Sequence, residues 1–420
     1  MKELNDLFFA CFCIEKFDQT RELILNGNDL YPQIGRRLDD NDIENLISFL
    51  KTNPDVKCIS LAYNNIHCEG FIDIIDYIIT NDQIVDLNMQ NNEIGVLGIE
   101  ELCKNGSKLK FKSLRLNGNK FRTKSAKKIA LMLLNNPYIE HLDVAEVDQT
   151  LSSLIYFITV LRPDQNNFNN TLKVLDLSRP LPDFMQTFDS FHFATLIGAM
   201  LKVNTSLTEL HLQKCNFSCH DIESMCVEGK YNKTLHLLDL GCNNIGDHGI
   251  KYLCNWLHQR PILAGIILCH NIITNDGARE LSFALPYSRV RLLDISYNNI
   301  SDDGMANILY TLKKSTCMRD LRIFGNRVSC ITARILNRMF KSGVLNQCNV
   351  DVKIYQIEGE LRIARNPVDT YKQRYYNVSL YGIPQPLQIV HEKDILDGKT
   401  PPKIIFKYID SAPIKPSLKR

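Results

Sequence analysis

Leu235–Leu257 reads LHLLDLGCNNIGDHGIKYLCNWL, and its reading decides the fold. Leu235, Leu238 and Leu240 are spaced L-x-x-L-x-L, with the last two on one face of a period-2 strand. Asn243 follows three residues after Leu240, then Ile245, then Gly249. Ile250, Leu253, Cys254 and Leu257 then fall at i, i+3, i+4 and i+7, the apolar stripe of a helix. A strand–turn–helix unit this short cannot bury its own apolar faces, so it requires copies of itself on both sides.

The chain supplies them. The asparagine slot recurs at Asn64, Asn92 and Asn119, and again at Asn243, Asn271, Asn298 and Asn326, always 27 or 28 residues apart within a series. The glycine six residues later recurs as Gly70, Gly98, Gly249, Gly277 and Gly304, with Ser125 and Thr332 filling the slot elsewhere. The aliphatic strand positions fill a core between a strand layer and a helix layer. An asparagine amide both donates and accepts, so it can satisfy backbone groups where the chain leaves its strand and turns. The glycine lets the helix enter without a Cβ in the way, with positive φ as the expected reason.

From Val56 to Val328 this arrangement resembles the ribonuclease-inhibitor-like leucine-rich repeat proteins. The resemblance implies an α/β solenoid of about ten to eleven repeats, a horseshoe with parallel strands on the concave face and helices on the convex face.

Around the array the sequence divides as follows. Residues 1–55 form an N-terminal cap, in which Phe8, Phe9, Phe12 and Phe17 shield the open end, and a first degenerate repeat. Residues 56–340 form the array, irregular over 145–220, where Val147, Pro180 and Cys215 take the asparagine slot. Two insertions fall there, Arg162–Asn170 and Arg179–Ser190, read as surface loops tolerated by the array. Residues 341–366 alternate around Glu358-Gly359-Glu360 as a capping hairpin, and 367–420 read as an extended, proline-containing basic tail.

Composition narrows the function. A net charge of +2 argues against a general nucleic-acid binder or a polybasic membrane protein. Fourteen cysteines without paired spacings suit reduced thiols in an intracellular protein. Leu7–Ile14 is the only apolar candidate for a targeting segment, and Glu3 and Asp6 stand where a signal peptide carries positive charge. No run approaches the roughly 20 residues needed to span a bilayer.

Chemistry finds little support. Gly398-Lys399-Thr400 imitates the end of a P-loop, but Lys393 stands where its first glycine belongs. Cys215, Cys219, His220 and Cys226 lie close in sequence without matching a common zinc spacing, so packed thiols are expected and no metal or cofactor. One residue after each main strand leucine, Asp143, Asp176, His211, Asp239, Ile267, Asp294 and Arg322 form a row; aspartates without a pocket make poor catalysts, so no enzyme is expected. The same face carries Leu237, Ile267, Cys269, His270, Leu292, Tyr297 and Phe324 at outward positions. Bordered by Asp239 and Asp294, they are expected to form an exposed apolar patch for a protein partner. The protein is expected to be monomeric outside its complex.

Within the class, the short N-terminal cap, the imperfect central repeats and the closing segment DVKIYQIEGELRIA (Asp351–Ala364) resemble the family of leucine-rich repeat-containing protein 34. That resemblance implies a non-enzymatic scaffold in cytoplasm and nucleus or nucleolus, linked to germ-cell or stem-cell differentiation and ribosome biogenesis. The alternatives are an axonemal structural component and a GTPase-activating protein of the Ran activator type. The latter carries an acidic segment where this chain is basic.

Overall fold

The structure, a computed structural model, describes residues 4–16, 19–181, 188–313 and 318–366. Phe17, residues 182–187 of the Arg179–Ser190 insertion, the 367–420 tail and its Gly398-Lys399-Thr400 lie outside the described residues. The chain divides into two compact units, one ending at His211 and one beginning at Leu212.

The first unit opens with the helix Asp6–Ala10 and the strand β1 (Cys13–Glu15). β1 runs antiparallel to β2 (Arg21–Ile24), pairing Cys13 with Leu23. An antiparallel edge strand was not legible in the phenylalanine-rich cap. Of its aromatics, Phe9 is buried against Phe49, with ring centroids 5.4 Å apart, while Phe8 leans on Phe12. Six parallel strands follow: β3 (Val56–Ser60), β4 (Asp86–Asn88), β5 (Ser113–Arg115), β6 (His141–Asp143), β7 (Val174–Asp176) and β8 (Glu209–His211). Each pairs with its predecessor, β3 with a register shift between Arg21 and Glu22 of β2 and the others in register, Leu87 beside Leu114 and Leu142 beside Leu175. Helices such as Cys68–Asn81 and Ser190–Val203 return the chain to the start of the next strand.

The second unit repeats the plan with β9 (Leu237–Asp239), β10 (Gly265–Ile267), β11 (Leu292–Asp294) and β12 (Asp320–Arg322), parallel and in register. Its helices are Cys219–Gly229, Asp247–His258, Asn275–Ala284, Asp302–Thr311 and Cys330–Lys341. A two-stranded hairpin, β13 (Val352–Ile357) and β14 (Glu360–Arg365), turns at Glu358 and Gly359, both at positive φ. Just before it, Val350 bridges to Leu321 of β12. Each unit is thus an α/β solenoid in which strand leucines and helix stripes share one core, Leu238, Ile250, Leu253 and Ile266 all fully buried.

The asparagine slot tightens this stack. Asn271 Nδ2 donates to Leu268 O (3.1 Å) in its own turn and to Leu240 O (3.0 Å) one repeat back, while its Oδ1 accepts from Ile245 N (2.9 Å). Asn64, Asn92, Asn119, Asn243, Asn298 and Asn326 make the same two donations and the same acceptance. Where Val147 takes the slot, Gln149 reaches back from two residues on and donates to Val144 O (3.1 Å).

Left-handed backbone falls one residue before this slot, not at the later glycine. Tyr63, Asn91, Gly118, Glu146, Arg179, Lys214, Cys242, His270, Tyr297 and Gly325 all have positive φ, whereas the helix glycines do not. Those glycines instead allow a hydrogen bond between neighbouring helices. Asp247 Oδ1 accepts from Gly277 N (3.0 Å) and Thr274 N (2.8 Å), and a Cβ on Gly277 would lie 2.5 Å from that oxygen. The helix starts at Cys68, Cys219, Asp247, Asn275 and Asp302 each cap the next helix in this way. Cys219, one repeat before Asp247, does this with its sulfur, accepting from Gly246 N at 3.2 Å.

A second ladder stands ahead of the strands in the irregular region. Asn136, Asn169, Asn204 and Asn232 lie three residues before Ile139, Leu172, Leu207 and Leu235, and each accepts the N–H of that residue at 2.7–2.9 Å. Asn232 also accepts from Thr234 N, so the glycosylation-like triplet Asn232-Lys233-Thr234 is an Asx turn.

Candidate functional site

The outward face of the strand layer is where the sequence places recognition, and the two units build it differently. In the first unit it is polar and closed. Arg115 donates from Nη2 to Asp86 at 2.5 Å, with both side chains buried. Burial raises the Asp86 carboxyl, and Arg115 opposes the shift. Burial, and then the neighbouring Asp176, hold Asp143 well above the ordinary carboxylate range. Burial likewise pushes His141 well down; its Nδ1 lies 3.1 Å from Ser113 Oγ. Glu209 and His211 stand 3.5 Å apart.

The recurring aspartates have a backbone task. Asp143 Oδ1 accepts from Ala145 N, Asp176 from Ser178 N, Asp239 from Gly241 N and Asp294 from Ser296 N, all at 2.8–3.0 Å. Each closes the turn two residues after the strand, which explains why aspartate recurs in this row.

In the second unit the expected exposed patch is a buried cluster. Leu237, Ile267 and Leu292 are 0% exposed and Cys269 only 3%. Gly265 lies between Leu237 and Leu292 in the ladder, and a Cβ there would come within 2.5 Å of Leu237 Cδ1. The missing side chain leaves room that Leu237 enters, bringing the flanking leucines together over the glycine. Asp239 and Asp294, expected as an acidic border, are buried too. Hence Leu237, Asp239, Ile267, Cys269, Leu292 and Asp294 are packed residues rather than a contact surface.

What remains accessible is an aromatic rim at the turn after the strands. His270 and Tyr297 are exposed and stack face to face, with centroids 4.3 Å apart and planes 7° apart. Tyr297 meets half-buried Phe324 edge-on at 5.8 Å, and the Arg365 guanidinium lies 6.0 Å from the Phe324 ring. The left-handed backbone at His270 and Tyr297 projects both rings from the turn, and Tyr297 leans over Gly325, where a Cβ would come within 2.4 Å of Cδ1. Burial lowers the His270 pKa, which favours the neutral form of the stacked ring.

The cysteine–histidine group suggested by sequence proximity does not come together. Cys215 is buried in the asparagine slot, Cys219 caps the next helix, and burial pushes the Cys226 thiol up to about 12. The described cysteines are all free thiols.

Parallel strands in register, one helix per repeat, and an asparagine linking each turn to its predecessor define the class. The fold is a leucine-rich repeat solenoid with a helix in each repeat, and the Leucine Rich repeat family model matches residues 203–218, 231–254 and 290–309. Among named proteins the chain is similar to leucine-rich repeat-containing protein 34 of Mus musculus, 29% identical over 242 residues, covering 57% of this chain and 56% of that protein. It is also similar to the Mus musculus ribonuclease inhibitor, 26% identical over 286 residues, covering 65% of this chain and 59% of that one. The chain therefore spans somewhat over half the length of these relatives. Among solved structures, an internalin from Listeria monocytogenes aligns over 72% of this chain and 75% of its own, with 15% identity and a TM-score of 0.37. No helix among the described residues is long and apolar enough to cross a membrane.

Proposed function

We propose that the protein is a non-enzymatic scaffold that binds a protein partner through the rim His270–Tyr297–Phe324. The observation that carries this reading is the stacked, exposed pair of rings on left-handed backbone, continued edge-on by Phe324. Rigid aromatics lose little entropy on binding and dominate protein interfaces. The relatives support the same class of role, since they too are leucine-rich repeat proteins and one is named as an inhibitor of an enzyme. The engagement of the row aspartates with backbone N–H groups speaks for structure rather than acid–base work.

We further propose, from the resemblance to the leucine-rich repeat-containing protein 34 family, that the scaffold acts in the cytoplasm and nucleus or nucleolus, with a link to germ-cell or stem-cell differentiation and ribosome biogenesis; an axonemal structural role is the alternative. The test is affinity purification with mass spectrometry of the full chain against the double variant Tyr297→Ala, Phe324→Ala. Loss of the wild-type partners at an unchanged thermal melt supports the rim, and recovery of the same partners by the variant refutes it. Imaging the tagged chain decides location, and stimulated hydrolysis by a small GTPase would replace the scaffold reading with a regulator.

A further inference from the structure

His220 and His248 occupy the same second position of consecutive helices, Cys219–Gly229 and Asp247–His258, 28 residues apart. Glu223 lies one turn beyond His220 and faces both rings. Its Oε2 is 3.4 Å from His220 Nδ1 and 3.6 Å from His248 Nε2, and the three donor atoms lie within 4.8 Å of one another. Among the described residues this is the one place where three metal-ligating side chains converge. The imidazoles meet edge-on with centroids 5.9 Å apart. Tyr252, one turn after His248, packs on that ring at 5.1 Å, and its hydroxyl donates to the Glu223 carboxylate.

We propose that His220, Glu223 and His248 form a binding site for a divalent transition-metal ion of the zinc class. A Zn2+ ion with bonds of about 2.0–2.2 Å spaces its tetrahedral ligands roughly 3.3–3.6 Å apart. Both histidine–carboxylate edges already have that spacing, and only the histidine–histidine edge closes on binding. Two imidazoles and one carboxylate suit Zn2+, Co2+ or Ni2+ better than Mg2+ or Ca2+, which require all-oxygen ligands. Tyr252 is a positioning residue: its hydrogen bond orients the carboxylate, as outer partners of metal ligands do. The side chains of His220, Glu223 and His248 are 78%, 34% and 53% exposed, so an ion enters freely and keeps coordination positions open to water or to a partner's side chain.

The neighbouring repeat lacks the cluster. One period on, Asp276 stands where His248 does, and Arg279 pairs with it at 3.5 Å, so a guanidinium takes the place of an ion. The repeat frame demands none of the three ligands, because all of them project from the exposed side of the helix layer.

Calorimetric titration of the chelator-treated full chain with ZnCl2 tests the proposal, with Co2+ absorption as a second readout. One equivalent is expected to bind, with a cobalt spectrum lacking thiolate charge-transfer bands. H220A, H248A and E223Q are each expected to lose more than about ten-fold in affinity, the lower end of what even an outer partner contributes, and Y252F about ten-fold. Metal-free melts of the four variants should match wild type, since the positions are exposed. Absence of binding, binding unchanged in all three ligand variants, or thiolate bands in the cobalt spectrum would each overturn it.

Discussion

Replacing Asn271 by alanine isolates what one rung of the asparagine ladder contributes. The side chain is buried, donates to Leu240 O and Leu268 O at 3.0 and 3.1 Å, and accepts from Ile245 N at 2.9 Å. Three hydrogen bonds at about 1 kcal/mol each, plus part of the penalty for stranding buried backbone groups, give a loss of about 3–5 kcal/mol. Asn326 makes the same three bonds at 2.9, 2.9 and 3.2 Å but is only half-buried, so water replaces the lost partner. Its alanine variant should lose about 1–2 kcal/mol. Urea unfolding followed by circular dichroism, read as midpoint shifts at a common slope, measures both. Asn271→Asp should cost more than Asn271→Ala at pH 7, because a carboxylate then faces two carbonyl oxygens. Equal costs at Asn271 and Asn326, or a loss below about 1 kcal/mol at Asn271, would refute the idea that the rung joins repeats by burying paired backbone groups.

Two further outcomes follow from the buried face. Ile267→Asp places a carboxylate in a fully buried cluster and should cost at least about 4 kcal/mol, seen as a collapsed thermal melt; a wild-type melt would restore the exposed patch. Asp351 accepts from Ile323 N at 2.8 Å, and burial raises its carboxyl to about 6. A raised folded pKa stabilises below the unfolded value of about 3.9, and that contribution is lost as pH climbs through 6. Asp351→Asn should therefore gain up to about 2–3 kcal/mol on wild type between pH 4 and pH 7, measured by urea unfolding at both. An unchanged or opposite trend would contradict the shift.

The frame was legible because each slot serves a backbone need that recurs at a fixed offset. Asn64 through Asn326 and the helix glycines announce themselves by spacing alone. Face exposure was not legible in the same way. Ile267 occupies an outward strand position, yet its burial depends on neighbours that the repeat leaves variable, Gly265 above all. Left-handed backbone escaped notice because the residues holding it range from Tyr63 to Lys214 and share no chemistry. The second ladder did leave a signal, an asparagine three residues before a strand leucine at 169, 204 and 232, in the region where the first ladder fails. His220 was grouped with nearby cysteines, whereas its partner His248 lies one period away. In a repeat protein, proximity is measured in periods.

The left-handed residue before each asparagine slot also limits what evolution or a designer can write there. Residues branched at Cβ are genuine outliers at positive φ, and other L residues still pay about 1–2 kcal/mol. The ten occupants are tyrosine, asparagine, glycine, glutamate, arginine, lysine, cysteine and histidine, with no valine, isoleucine or threonine among them. The rim is thus an alphabet from which the stiffest aliphatic letters are struck out, while aromatic, charged and amide letters stay available. A library that varies Cys242, His270 and Tyr297 within that alphabet should change what the rim recognises and leave the frame standing.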